Sequence, residues 1–112
     1  METPTDSMLL RIFIGEAARH GRQPLHEAII LKAREMHLAG ATVTRGAMGY
    51  GKSSLLHTTK VLSLSDDLPV VVEIVDTEEK INAFMPVLGQ MMTSGVATVD
   101  KVKAIHFMAE PS

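Results

Sequence analysis

Cysteine is absent from this chain, which excludes disulfides, thiolate metal sites and cysteine nucleophiles and suits a reducing compartment. Tryptophan is absent too. Three Phe and one Tyr stand against eight Met, so the core must be aliphatic and Met-rich. A dominant charge is also lacking: eleven Lys and Arg against thirteen Asp and Glu leave −2, too little to draw the chain to nucleic acid or an anionic membrane. No apolar run approaches the ~20 residues of a membrane helix. The stretch Met1-Glu-Thr-Pro-Thr-Asp-Ser7 is polar and acidic, without the apolar centre of an export signal. Residues 1–7 are therefore expected to form a disordered tail, and the protein to be cytoplasmic. What is present, 112 residues with 46% apolar and 21% charged side chains, suits one soluble domain over 8–108.

Hydrophobic periodicity lays out that domain. Met8 to Ile14 reads as a strand, almost wholly apolar apart from Arg11. Pro24 suits a helix's first turn, after which Leu25, Ala28, Ile29, Ala33 and Met36 recur at helical spacing towards a stop at Gly40. Ala41 to Met48 is a second strand, and His57 to Leu64 is extended. Val70 to Val75 is the strongest strand, β-branched except for Glu73. Asp76 and Glu79 resemble a capping box for a second helix, with Ile81, Phe84, Met85, Leu88 and Met92 as its apolar stripe. Pro86 inside that stripe is expected to kink or divide the helix, Gly95 to end it, and Val102 to Met108 to form the last strand.

The order βαββαβ implies an α+β, ferredoxin-like sandwich: a four-stranded antiparallel sheet with both helices on one face. Its other face would carry Leu9, Phe13, Val71 and Val75, with Arg11 and Glu73 as a cross-strand pair. An apolar face of that kind calls for a partner, most simply further copies of the chain.

Chemistry concentrates between the second and third strands. Gly46 to Ser53 spells G-x-x-x-x-G-K-S, and Pro69 to Asp76 imitates the magnesium-holding strand of nucleotide hydrolases. A working P-loop opens a helix in a parallel sheet, however, and Thr58, Thr59 and the turn Ser65-Asp66-Asp67-Leu68-Pro69 favour extended chain instead. A small hydrolase using Lys52 and Ser53 is thus the second reading. Anion binding survives without it. Gly46, Gly49 and Gly51 can expose successive backbone N–H groups as a nest, with Arg45 and Lys52 supplying positive charge. The competing reading is a hairpin loop whose glycines serve positive φ and whose cations are solvated.

Several segments carry a resemblance when taken in order. They are Ile14-Gly-Glu16, Gly21-Arg-Gln-Pro-Leu25, Gly40-Ala-Thr-Val43, Arg45-Gly46, Gly49-Tyr-Gly51, His57, Leu64-Ser-Asp-Asp-Leu-Pro69 and Val70 to Asp76. Together they resemble the uncharacterised PII-like family of small bacterial and archaeal proteins, related to PII nitrogen-regulatory signalling proteins and more distantly to CutA-type trimers. The resemblance implies a homotrimer whose long loop, here about 46–67, is the counterpart of the PII T-loop. It implies an adenine nucleotide (ATP, ADP or AMP) as effector, bound between subunits at the loop base, and a target protein, a membrane transporter or an enzyme, that reads the loop. No catalysis is implied. The implied ligand residues are Arg45, Gly46, Gly49, Tyr50, Gly51, Lys52, Ser53 and His57. The glycine- and basic-rich phosphate loop of PII proteins has no counterpart in 92–100.

Other constellations are weaker. His20, His26, His37, His57 and His106 include no pair at metal-ligand spacing, so metal is not expected within one subunit. A CutA-like trimer gathering one histidine from each copy is a third reading. Arg19, His20 and Arg22 precede the first helix, where they are either a second half of an anion site or a solvated loop.

Overall fold

The computed structural model describes residues 3–49, the backbone of 57–58, and residues 68–107. The chain runs β1 (Thr5–Gly15), β2 (Arg19–His20), β3 (Gln23–Pro24), α1 (Leu25–Glu35), β4 (Ala41–Arg45), β5 (Met48–Gly49), β6 (His57–Thr58), β7 (Pro69–Asp76), α2 (Glu78–Met91) and β8 (Val96–Ala104). The main sheet is four-stranded and antiparallel in the order β4-β7-β1-β8, the arrangement of a ferredoxin-like sandwich.

Strict alternation in the two central strands builds the core. Leu10, Ile12 and Ile14 of β1 and Val70, Val72 and Ile74 of β7 are buried against Leu25, Ala28, Ile29 and Ala33 of α1 and Ile81, Phe84, Leu88 and Met91 of α2. The intervening residues face away from the helices. There Phe13 lies opposite Val71 and Leu9 opposite Val75, flanking the pair Arg11–Glu73, whose Nε and Oε2 are 2.8 Å apart. This pair forms within one chain. Asp100 of β8 adds a second, longer contact to the same guanidinium at 3.9 Å.

Several expectations change. The strand expected from Met8 begins at Thr5, so Thr5, Asp6 and Ser7 are not tail but sheet, opposite Ala104, Lys103 and Val102 of β8. The last strand is correspondingly Val96–Ala104 rather than 102–108, because β1 offers partners for the whole of it. Ile105, His106 and Phe107 lie beyond its end, exposed. Pro86 does not divide α2. Both Pro86 and Asn82, whose carbonyl loses its donor, are on the exposed side, where water can take the place of the missing bond. The helix cap is Thr77, whose side chain accepts from the Lys80 N–H at 3.2 Å, and not Asp76. The Asp76 carboxylate is buried and accepts from the N–H groups of Thr77 and Ala39, at 2.7 and 2.8 Å, tying the α1–β4 turn to the start of α2.

That turn closes α1 earlier than Gly40. His37 takes a left-handed φ of 63°, Leu38 N–H donates to the Ala33 carbonyl and His37 N–H to that of Arg34, a Schellman stop. Glycine fits such a position without strain. His37→Gly is expected to stabilise the protein by about 0.5–1 kcal/mol, measurable as a raised urea midpoint at unchanged slope.

Candidate functional site

One end of the sheet gathers the chemistry. Here β1 ends at Gly15 opposite Pro69, and β4 ends at Arg45 opposite Val70. The chain leaves the sheet at Gly46 and returns at Leu68. Both arms of the intervening segment are tied down: Gly46 N–H donates to the Pro69 carbonyl at 2.7 Å, and Glu16 N–H to the Leu68 carbonyl at 2.8 Å. Slightly farther out, Met48–Gly49 pairs antiparallel with His57–Thr58, Gly49 opposite His57. Met48–Gly49 and His57–Thr58 therefore form a second, two-stranded part of the loop base.

The expected ligand residues fall into three groups. Arg45, at the end of β4, is exposed, and its Nε donates to Oε2 of Glu16. Gly46 and Gly49 are described, but not as the nest that was expected. Neither has a positive φ, since among the described glycines only Gly21 and Gly95 do. The Gly46 amide is already bonded to Pro69. The reason for glycine is instead close approach: a Cβ on Gly46 would come within 2.8 Å of the Pro69 ring, and one on Gly49 within 3.1 Å. Pro69, on the returning arm, thus packs against the outgoing arm at both positions. Tyr50, Gly51, Lys52 and Ser53 lie outside the described residues, as does the side chain of His57. The expected loop over 46–67 and the extended run to Leu64 lie largely outside them too.

Arg19 and His20 form one side of the β2–β3 hairpin and Arg22 its turn, next to Gly21 with φ 64°. All three side chains are exposed. The hairpin is closed onto α1 by the Leu25 N–H, which donates to the Ala18 carbonyl at 2.8 Å. Among the described residues no three His, Asp or Glu side chains gather into a metal-binding group. No helix among the described residues is long and apolar enough to cross a membrane. A shallow depression of about 470 Å³ lies at the opposite end of the sheet, on the face without helices, lined by Leu9, Gly40, Thr42, Glu73 and Val75.

Sequence reasoning missed Glu16. It stands inside the segment Ile14-Gly-Glu16 that carries part of the family resemblance, but no local pattern marks a carboxylate that will meet an arginine 29 positions later. With 22% of its side chain exposed against 61% for Arg45, Glu16 is the more embedded partner.

Known proteins share this sequence and this fold. The family model DUF190, described as Uncharacterized ACR, matches residues 7–104. A UPF0166 protein of Aquifex aeolicus is 39% identical over 98 residues, 88% of this chain and 92% of its own. A UPF0166 protein of Methanocaldococcus jannaschii is 31% identical over 84 residues, 75% of this chain and 77% of its own. Among solved structures, a PII-like signaling protein of Thermus thermophilus superposes with a TM-score of 0.67 over 94% of each chain at 16% identity. CPII of Thiomonas intermedia, a nitrogen regulatory PII-like protein bound to ADP, AMP and bicarbonate, superposes with a TM-score of 0.63 over 93% of this chain and 92% of its own at 17% identity. At these identities the structural likeness establishes a shared PII-like fold.

Proposed function

The chain belongs to the DUF190 family, and from that membership and the geometry of the loop base we propose that it is a PII-like regulatory protein that binds an adenine nucleotide. ATP, ADP or AMP enters a cleft between subunits of a homotrimer, with its phosphates towards Arg45 and Lys52. Tyr50, Gly51, Ser53 and His57 complete the contacts, with Gly46 and Gly49 as the packed base rather than as donors. Nucleotide occupancy sets the conformation that the 46–67 segment presents to a target protein, an enzyme or a membrane transporter, in the cytoplasm. Such a switch needs only different affinities for two conformations and no bond-making chemistry.

The observation that carries this reading is the double tether at one end of the sheet, Gly46 to Pro69 and Glu16 to Leu68, with the Arg45 guanidinium beside it. A segment tethered at its base is coupled to a ligand that binds at that base. CPII, which has the same fold, is bound to ADP and AMP, and this supports the nucleotide class. The hydrolase reading is disfavoured by the hairpin. A P-loop runs from a strand directly into a helix whose N-terminus faces the phosphates. Here Gly49, inside the motif, is instead paired antiparallel with His57.

The test is thermal unfolding against a nucleotide panel. A ligand at 100 times its Kd stabilises the native state by about 2.7 kcal/mol, so ADP, ATP or AMP is expected to raise the midpoint. Lys52→Ala is expected to weaken binding by about 1–3 kcal/mol, the scale of a lost charge-assisted hydrogen bond. An unmoved midpoint with all three nucleotides at saturating concentration overturns the proposal.

A further inference from the structure

Glu16 touches both arms of the loop base, and it does so with different atoms. Its backbone N–H holds the returning arm through the Leu68 carbonyl, at 2.8 Å. Its carboxylate holds the outgoing arm through Nε of Arg45. Glu16 is itself fixed, because it follows directly on Gly15, the last residue of β1, which lies opposite Pro69 in the sheet. The outgoing arm has a further tether of its own in the Gly46–Pro69 bond. The ion pair is thus the one side-chain contact described here that links the β1 end directly to Arg45.

Resting on the nucleotide reading, we propose that Glu16 is a built-in competitor of the effector: its carboxylate occupies Arg45 in the free protein, and the ligand's phosphate must displace it. Three considerations lead there. First, Glu16 and Arg45 neutralise one another, so the free site offers an anion little net charge at Arg45. Second, a phosphate brought onto the guanidinium meets a carboxylate already in hydrogen-bonding contact, and like charges at such distances repel. Third, phosphate can outcompete carboxylate on arginine by offering more oxygens and more charge, often as a two-point contact. A singly charged small carboxylate has no such advantage. The competitor therefore favours polyanionic ligands over simple acids, and displacement frees the side chain that ties the outgoing arm to β1. Ligand binding and release of this contact become one event.

The sign of one substitution distinguishes competition from the alternative, in which Glu16 merely orients Arg45. Full-length wild type, Glu16→Gln, Arg45→Ala and the double variant are titrated with ADP, ATP and AMP by calorimetry. In Glu16→Gln, ADP is expected to bind about two- to fivefold tighter, the span a partly exposed ion pair provides. The gain should vanish when Arg45 is already Ala, since the cycle isolates the pairwise contact. Weaker or unchanged binding in Glu16→Gln, with a native circular dichroism spectrum, overturns the competitor. A second measurement is independent of ligand: amide hydrogen exchange at Gly46–Gly49 in the nucleotide-free protein. Faster exchange in Glu16→Gln than in wild type is expected, and equal exchange refutes the tether whatever ADP does. Absence of binding of ADP, ATP and AMP alike to all four proteins refutes both the nucleotide reading and the competition, whereas binding with the wrong sign refutes the competition alone.

Discussion

Val71→Asp is expected to turn the proposed trimer into a monomer that remains folded. Val71 lies on the face without helices, opposite Phe13 of β1 and Thr44 of β4, and it is only half-buried in the isolated chain. A carboxylate there can stay hydrated in a monomer. Packed against further copies it would be desolvated without a partner, because Arg11 is already shared between Glu73 and Asp100. An uncompensated buried charge costs about 3–5 kcal/mol, repeated in every subunit, which exceeds what a small interface can absorb. Phe13, with 41% of its surface exposed, and Val96, with 56%, show how much apolar surface a lone chain leaves in water on this side. Sedimentation velocity at micromolar concentration is expected to give a trimer for wild type and a monomer for the variant, with the same far-ultraviolet spectrum. A wild-type monomer, or a variant that stays trimeric, contradicts the proposed assembly.

Phe84→Ala should produce the largest loss of stability of any single truncation considered. Phe84 is fully buried on α2 and stands in the same cluster as Leu10, Ile12, Ile29, Val72 and Ile74. Removing its ring forfeits the transfer free energy and leaves a cavity that a sheet and two helices cannot close. The expected cost is about 3–5 kcal/mol. A domain of this size holds about 5–15 kcal/mol in total, so the variant should unfold at much lower denaturant. Urea titration at fixed protein concentration reads the difference, and the concentration must be fixed because the proposed assembly would add to apparent stability. A loss below about 1 kcal/mol would mean that the two layers do not pack around this residue.

The fold was legible in the sequence because its strongest signals are local. Met8 to Ile14 and Val70 to Val75 are short, almost wholly apolar runs broken only by Arg11 and Glu73, which read as central strands. The period of two appears in the structure, where Leu10, Ile12, Ile14, Val70, Val72 and Ile74 are the buried residues. Element ends were less legible, since a partner elsewhere in the chain decides them. Asp76 and Thr77 both suit a helix cap, and the choice falls to Thr77 because Ala39, 37 positions away, takes the Asp76 carboxylate. The last strand reaches back to Val96 because β1 supplies a register partner from Phe13 onwards, which the weak alternation of 96–100 does not advertise.

The local geometry of the candidate site was less legible than the fold. Arg45, Gly46 and Gly49 do fall together at one end of the sheet. That Gly46 and Gly49 are glycine to admit the Pro69 ring, and that Arg45 is neutralised by Glu16, depends on contacts between residues distant in sequence. A nest and a free cation were the natural local readings, and tertiary packing overrides both at Gly46 and Arg45.

Calorimetric titration of ADP, ATP and AMP into the wild-type protein, with released inorganic phosphate assayed in a parallel ATP incubation containing magnesium, tests the central claim most directly. Saturable ADP binding, weakened in Arg45→Ala and Lys52→Ala, with no phosphate released above the protein-free control, is expected of a nucleotide-reading switch. No heat of binding with ADP, ATP or AMP at any accessible concentration, or sustained phosphate release abolished by Lys52→Ala, would contradict it.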